Sequence, residues 1–143
     1  MPPEPPPLDH ITGIIIDEAL ALHRRLGPGM LESVYETLLA QRIERRGLTV
    51  RRQYPVSFFF DGIEFEHGFR VDLLVQEAVI VEIKSVEHLL PVHTKQLLTY
   101  LRLMDLRLGL LLNFGADLLR NGITRVVNDL PPTNRALLRI NKS

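Results

Sequence analysis

The chain has 143 residues, 45% hydrophobic and 24% charged, the balance of a single soluble globular domain with room for a real core. Its 17 basic and 17 acidic residues cancel, which counts against avid nonspecific binding to nucleic acid through excess positive charge. There is no cysteine, so disulfides and thiolate zinc sites are excluded, and no apolar run approaches the roughly 18 residues of a membrane span.

The first residues, MPPEPPPLDH, are rich in proline and lack the basic and apolar regions of an export signal. We expect a disordered tail over 1–8, one domain over 9–130, a short polar tail over 131–143, and a cytoplasmic location. Asp9 is a candidate N-cap for a helix reaching about Leu26, with Ile11, Ile15, Leu22 and Leu26 near one face. Gly27-Pro28-Gly29 breaks it. A second helix is expected from about Met30 to Arg46, with a stripe of Leu31, Val34, Tyr35, Leu38, Leu39 and Ile43 and with Gly47 just past its end. Arginines cluster here (Arg24, Arg25, Arg42, Arg45, Arg46, Arg51, Arg52), either as a polarised surface or as solvated helix ends.

Strand signals follow. Residues 49–60 are rich in β-branched and aromatic side chains, and Pro55 points to an edge or a bulge. Asp61-Gly62 is a hairpin signal. The next strand should span Ile63 to Val75 with a possible break at Gly68. Gln76-Glu77-Ala78 should turn the chain into a strand from Val79 to Lys84. A helix over Val92–Met104, with Leu97, Leu98, Leu101 and Met104 on one face, leads to a buried strand over Leu108–Phe114 beside Val79–Lys84. Gly122–Val127 is a candidate last strand. Hairpin-linked strands followed by a βαβ crossover predict an α/β fold: a mixed central sheet flanked by helices.

The chemistry concentrates on Asp72 and, after nine intervening residues, Glu82-Ile83-Lys84. Both acids interrupt runs that otherwise read as buried strands, where a charge is costly unless compensated. Alternation puts Glu82 and Lys84 on one face, Arg70 and Asp72 on one face, and Phe69, Val71 and Leu73 on the opposite one. The tight turn between the strands makes them antiparallel, so Asp72 and Glu82 can meet. Two close carboxylates need a cation between them, and Mg²⁺ suits such an oxygen site. Lys84 could then orient or deprotonate water and stabilise charge on a reacting phosphate. The competing reading is a Glu82–Lys84 or Asp72–Arg70 ion pair. Glu32, at the border of its helix's apolar stripe, could reach the sheet as a further metal ligand, or could simply complement the helix dipole. Glu36 is expected at the surface. Gln96 and Tyr100, four residues apart on one helix face, could contact metal-bound water, phosphate or a base, or could form an ordinary polar edge. The five histidines show no metal-ligand spacing; His93 reads as a loop or capping residue more readily than as a general base or a second ligand.

In this order the segments resemble the PD-(D/E)xK nuclease superfamily, and within it the small family with a GxxExxR or GxxExxY signature. The resemblance is carried by Gly29-Met30-Leu31-Glu32-Ser33-Val34-Tyr35, the Phe69–Val75 strand with Asp72, Val81-Glu82-Ile83-Lys84, the Gln96 and Tyr100 helix, and Gly109–Phe114. Val71 stands where the superfamily name has proline. The resemblance implies a restriction-endonuclease-like αβββαβ core and a nuclease dependent on Mg²⁺ or Mn²⁺. It implies metal ligands at Glu32, Asp72, Glu82 and the Ile83 carbonyl. Catalytic roles would fall to Asp72, Glu82, Lys84 and Gln96, with Arg70, Gln96 and Tyr100 contacting substrate. The implied partners are nucleic acid, DNA before RNA, and a second copy in a homodimer, with no membrane. The rival readings are a catalytically inactive nucleic-acid-binding or interaction module on the same fold, and an oligomeric structural protein whose acids form ion pairs.

Overall fold

The structure, a computed structural model, describes residues 4 and 6–129. The tail expected over 131–143 lies outside the described residues, as does part of the one expected over 1–8. Helix α1 spans Leu8–Leu26 and so takes in the last residue of that first tail. Its N-cap is Pro7, not Asp9. Pro7 has the extended ψ of a capping position, and Asp9, inside the first turn, sends its carboxylate to Arg125 at 2.9 Å. Ile11, Ile15, Ala19 and Leu22 form the buried face, and Gly27 ends the helix at φ 70°.

Helix α2 spans Glu32–Arg45, starting two residues later than expected. The backbone of Met30 is committed elsewhere: its N–H donates to the Tyr35 hydroxyl and its carbonyl accepts from Ser85 Oγ. Tyr35, Glu36, Leu39, Ala40 and Ile43 are buried, whereas Leu31 is exposed. The inward face is therefore turned by roughly a third of a turn from the stripe expected around Leu31 and Leu38. This rotation reverses the expectation for Glu36, which lies inside.

Five strands follow: β1 Val50–Phe60, β2 Ile63–Val75, β3 Val79–Lys84, β4 Leu108–Asn113 and β5 Ile123–Val127, with α3 Pro91–Met104 between β3 and β4. They form one sheet in sequence order. The β3–β4 pair is parallel and the other three pairs are antiparallel. Both expected turns are present, with positive φ at Asp61 and Gly62 and at Gln76 and Glu77. Helices α1 and α2 cover one sheet face, packing on Leu73, Val75, Val79, Val81, Ile83, Leu110 and Leu112. Helix α3 covers the other, packing Leu97 and Leu101 on Val71, Leu74, Ile80 and Leu111. This is the mixed sheet between helices of a restriction-endonuclease-like fold.

Two irregularities matter. Leu73 faces α1 and α2 while Val71 faces α3, so alternation breaks at Asp72 and the three apolar residues expected on one face divide between two. The partner strand breaks at the same level. Gln53 has φ 47°, with Val50 packed on the α1–α2 side and Tyr54 on the α3 side. Nearer the tip, the register shifts between Val56 and Phe58, opposite Gly68.

Candidate functional site

The β2–β3 ladder runs Val75↔Val79, Leu74↔Ile80, Leu73↔Val81. Asp72 and Glu82 would be the next pair. Side chains replace the ladder at that point. The Asp72 amide donates to Glu82 Oε1 at 3.3 Å, and the Ile83 amide donates to Asp72 Oδ2 at 2.8 Å. Each acid thus satisfies a backbone N–H of the opposite strand that would otherwise be orphaned. The register left open by the sequence brings the two carboxylates together.

Glu82 is 8% exposed. Burial, and then the neighbouring Asp72 carboxylate, push its carboxyl up to about 9. Lys84, half-buried on the same strand, opposes this least of all the influences. No ion pair joins Lys84 to Glu82 or Arg70 to Asp72 among the described residues, so the competing ion-pair reading finds no support in the geometry. What remains is a buried carboxyl beside a carboxylate with weak cationic compensation. That donor set fits a divalent cation, which takes oxygen ligands and usually only one or two carboxylates in a magnesium site.

Tyr100 reaches this pair from α3. Its hydroxyl is shifted upward by burial first, then by the negative charges of Glu82 and Asp72, while a hydrogen bond with Gln96 works the other way. The phenol therefore stays protonated and able to donate. Gln96 itself is exposed. Arg70, also exposed, lines an open groove of about 430 Å³ with Gln53, Pro55 and His67. His93 accepts the Leu90 amide on Nδ1 at 3.1 Å and so caps α3.

Glu32 does not join the pair. It occupies the first position of α2 and is exposed there, one turn before the helix meets the sheet. No group of three or more His, Cys, Asp or Glu side chains placed to hold a metal occurs among the described residues. The acid one turn on, Glu36, is 6% exposed. One of its oxygens accepts from Arg52 at 3.1 Å and the other from Gln53 Nε2. Gln53 Nε2 also lies 3.3 Å from Asp72 Oδ1, so Glu36, Gln53 and Asp72 form a chain from helix to site. Sequence reasoning missed Glu36 and Gln53. The available signal was a polar Gln at the centre of a β-rich run, two residues before Pro55.

The turn of the glycine-rich motif is held by Tyr35, whose hydroxyl donates to the Gly27 carbonyl at 2.6 Å and whose ring stacks on Phe114 at 4.4 Å. The far end of β3 is fixed by Asn113. Its side chain accepts the Val86 amide and donates to the Val86 carbonyl. Gly115 is required there, because a Cβ would lie 2.3 Å from the Val86 carbonyl oxygen.

No curated protein matches the chain, and no solved structure does. The family model of the PD-(D/E)XK nuclease superfamily matches residues 9–126, a span from the first turn of α1 to the last strand that includes Asp72, Glu82 and Lys84. The chain belongs to the PD-(D/E)XK nuclease superfamily.

Proposed function

We propose that this protein is a divalent-metal-dependent nuclease that hydrolyses phosphodiester bonds at the Asp72–Glu82 pair. The observation that carries the reading is that exchange of carboxylates and amides, which holds two acids together where the sheet opens. Divalent metals are general in PD-(D/E)XK nucleases; Mg²⁺ or Mn²⁺ would supply Lewis acidity toward a phosphoryl oxygen and toward water. Asp72 and Glu82 would hold the ion. The Ile83 carbonyl is a reasonable third donor: the N–H and C=O of one strand residue project to the same side, and the Ile83 N–H already points to Asp72.

Lys84 follows on the face of Glu82, where it can position water and stabilise charge on the phosphate. The protonated Tyr100 hydroxyl can donate to phosphate, held in place by Gln96. Arg70 can bind a flanking phosphate from its groove. Glu36 is not the metal ligand that Glu32 was expected to be; it orients Asp72 through Gln53. The Gly29–Tyr35 segment supports placement in the GxxExxR or GxxExxY family. DNA is the first substrate to test and RNA the second, with a homodimer in the cytoplasm as the accompanying expectation. No helix among the described residues is long and apolar enough to cross a membrane.

Purified protein incubated with single- and double-stranded DNA and RNA tests the proposal. Cutting is expected with Mg²⁺ or Mn²⁺, none with EDTA, and loss in Asp72→Asn and Lys84→Ala. Equal cutting by these variants would sink it. The two-acid cluster also favours a second reading, an inactive binding module, whose sign would be binding without cutting under every metal condition.

A further inference from the structure

The outer part of the β1–β2 hairpin stands beyond the sheet. β2 pairs with β3 only through Leu73, Leu74 and Val75, so Ile63–Phe69 pairs with β1 alone. One face of this arm is apolar. Phe58 lies opposite Phe65 and Phe60 opposite Ile63, and paired residues share a face. Phe60, Ile63 and Phe65 are 43%, 58% and 42% exposed. An exposed strip of large apolar side chains calls for an occupant.

The rings continue inward without a gap. Phe65 stacks on Phe58 at 5.1 Å, Phe58 meets Phe69 at 6.0 Å, and Phe69 stacks on Tyr100 at 4.2 Å and 6°. Gly68 makes room for this, since a Cβ there would lie 2.4 Å from the Phe58 ring. Tyr100 is the residue that feels the charges of Glu82 and Asp72. A track of aromatic rings therefore leads from the arm to the acid pair.

We propose that the arm binds the unpaired bases of a single-stranded nucleic acid and leads that strand past Tyr100 to the acid pair. This rests on the nuclease reading above and names its substrate class. Three features select this occupant. The strip is aromatic, and base stacking on rings tolerates any sequence. It is continuous with Tyr100, beside which a reacting phosphate would lie, so the flanking bases fall within its reach. Glu64, paired with Phe59, falls on the opposite face by alternation, so the strip of Phe58, Phe60, Ile63 and Phe65 offers rings and no cation for a phosphate backbone, which leaves bases as the contact. Duplex DNA keeps its bases stacked inside and offers none.

The test compares Asp72→Asn protein, without divalent metal, with and without the added pair Phe60→Leu and Phe65→Leu. Leucine keeps the strip apolar and removes the rings. Binding of a fluorescent oligothymidylate is measured by anisotropy, with a duplex of equal length alongside. Retained circular dichroism and melting establish folding. The single strand is expected to bind more tightly than the duplex, and the leucine pair to weaken it about tenfold, less than a full ring truncation costs. Equal affinity in both proteins, or preference for duplex, overturns the inference. So does sedimentation showing that the leucine pair splits a dimer, which would assign the strip to a second copy. Cutting assays keep the two readings apart. Metal-dependent cutting of duplex that ignores the arm overturns this inference and leaves the nuclease standing. Ring-dependent strand binding without any cutting supports the arm and removes the nuclease.

Discussion

β2 passes through two environments. Leu73, Leu74 and Val75 lie between two helical layers and are nearly fully buried, whereas Ile63 and Phe65 on the same strand are exposed. Asp72 sits at the boundary. The inner segment has a neighbour on both edges and both faces, so its position is overdetermined. The outer segment has a neighbour on one edge. A functional side chain at the junction is anchored by the first and open to a ligand presented by the second. The lesson is that the site lies where sheet pairing stops, not where the sheet is strongest.

That contrast can be broken at several levels. At the junction, Asp72→Asn is expected to lower metal-dependent cutting by about 10²- to 10³-fold, with an unchanged melting profile because the amide still offers an acceptor to Ile83; activity assays with melting curves check both halves. In the inner segment, Leu73→Ala should destabilise by about 2–5 kcal/mol through a cavity in the main core, read by urea denaturation, while Phe65→Leu outside stays within about 0.5 kcal/mol. A large stability loss from the outer change would show that the arm is part of the core.

Glu82→Gln should sharpen the electrostatic side. The folded carboxyl titrates near 9, above its ordinary 4.5. The folded state therefore holds the proton more tightly than the unfolded chain. Its stabilising contribution is complete below 4.5 and is lost as pH rises toward 9. Gln cannot titrate, so without metal the variant should gain on wild type from pH 5 to pH 9, by on the order of 5 kcal/mol. Added Mg²⁺ should stabilise wild type and leave the variant unchanged. Denaturation midpoints with EDTA and with Mg²⁺ decide it. Gln53→Ala should reduce cutting about tenfold by releasing Asp72 from Glu36, with kcat falling more than KM changes. Least of all, Arg51→Ala removes an exposed pair with Glu77 and should move stability by under about 0.5 kcal/mol.

Much of this arrangement is legible in the sequence. β2 and β3 begin and end where apolar runs meet Asp-Gly and Gln-Glu-Ala turns, because turn chemistry is local. The meeting of Asp72 with Glu82 follows from a short hairpin link. Gln96 and Tyr100 meet on α3 because they are one turn apart. Glu36 was not legible: its inward direction depends on Tyr35 packing against Phe114 and on Arg52 from β1, contacts remote in sequence. Neither was the break in alternation at Asp72, which is matched by Gln53 across the hairpin and has no signal in either strand alone. Asp9 was misread because a proline before a helix can stand at the cap position without a side-chain acceptor.

The exchange between the two acids and the opposing amides has a separate consequence. Asp72 and Glu82 act as a latch on the strand pair: a slip of β3 along β2 would leave both amides bare and move every inward side chain. A descendant that lost its chemistry would still need acceptors at both positions to keep its sheet in register. Retention of these acids in a lineage would therefore record architecture as well as catalysis, and Lys84, which holds no such latch, is the better witness to a working enzyme.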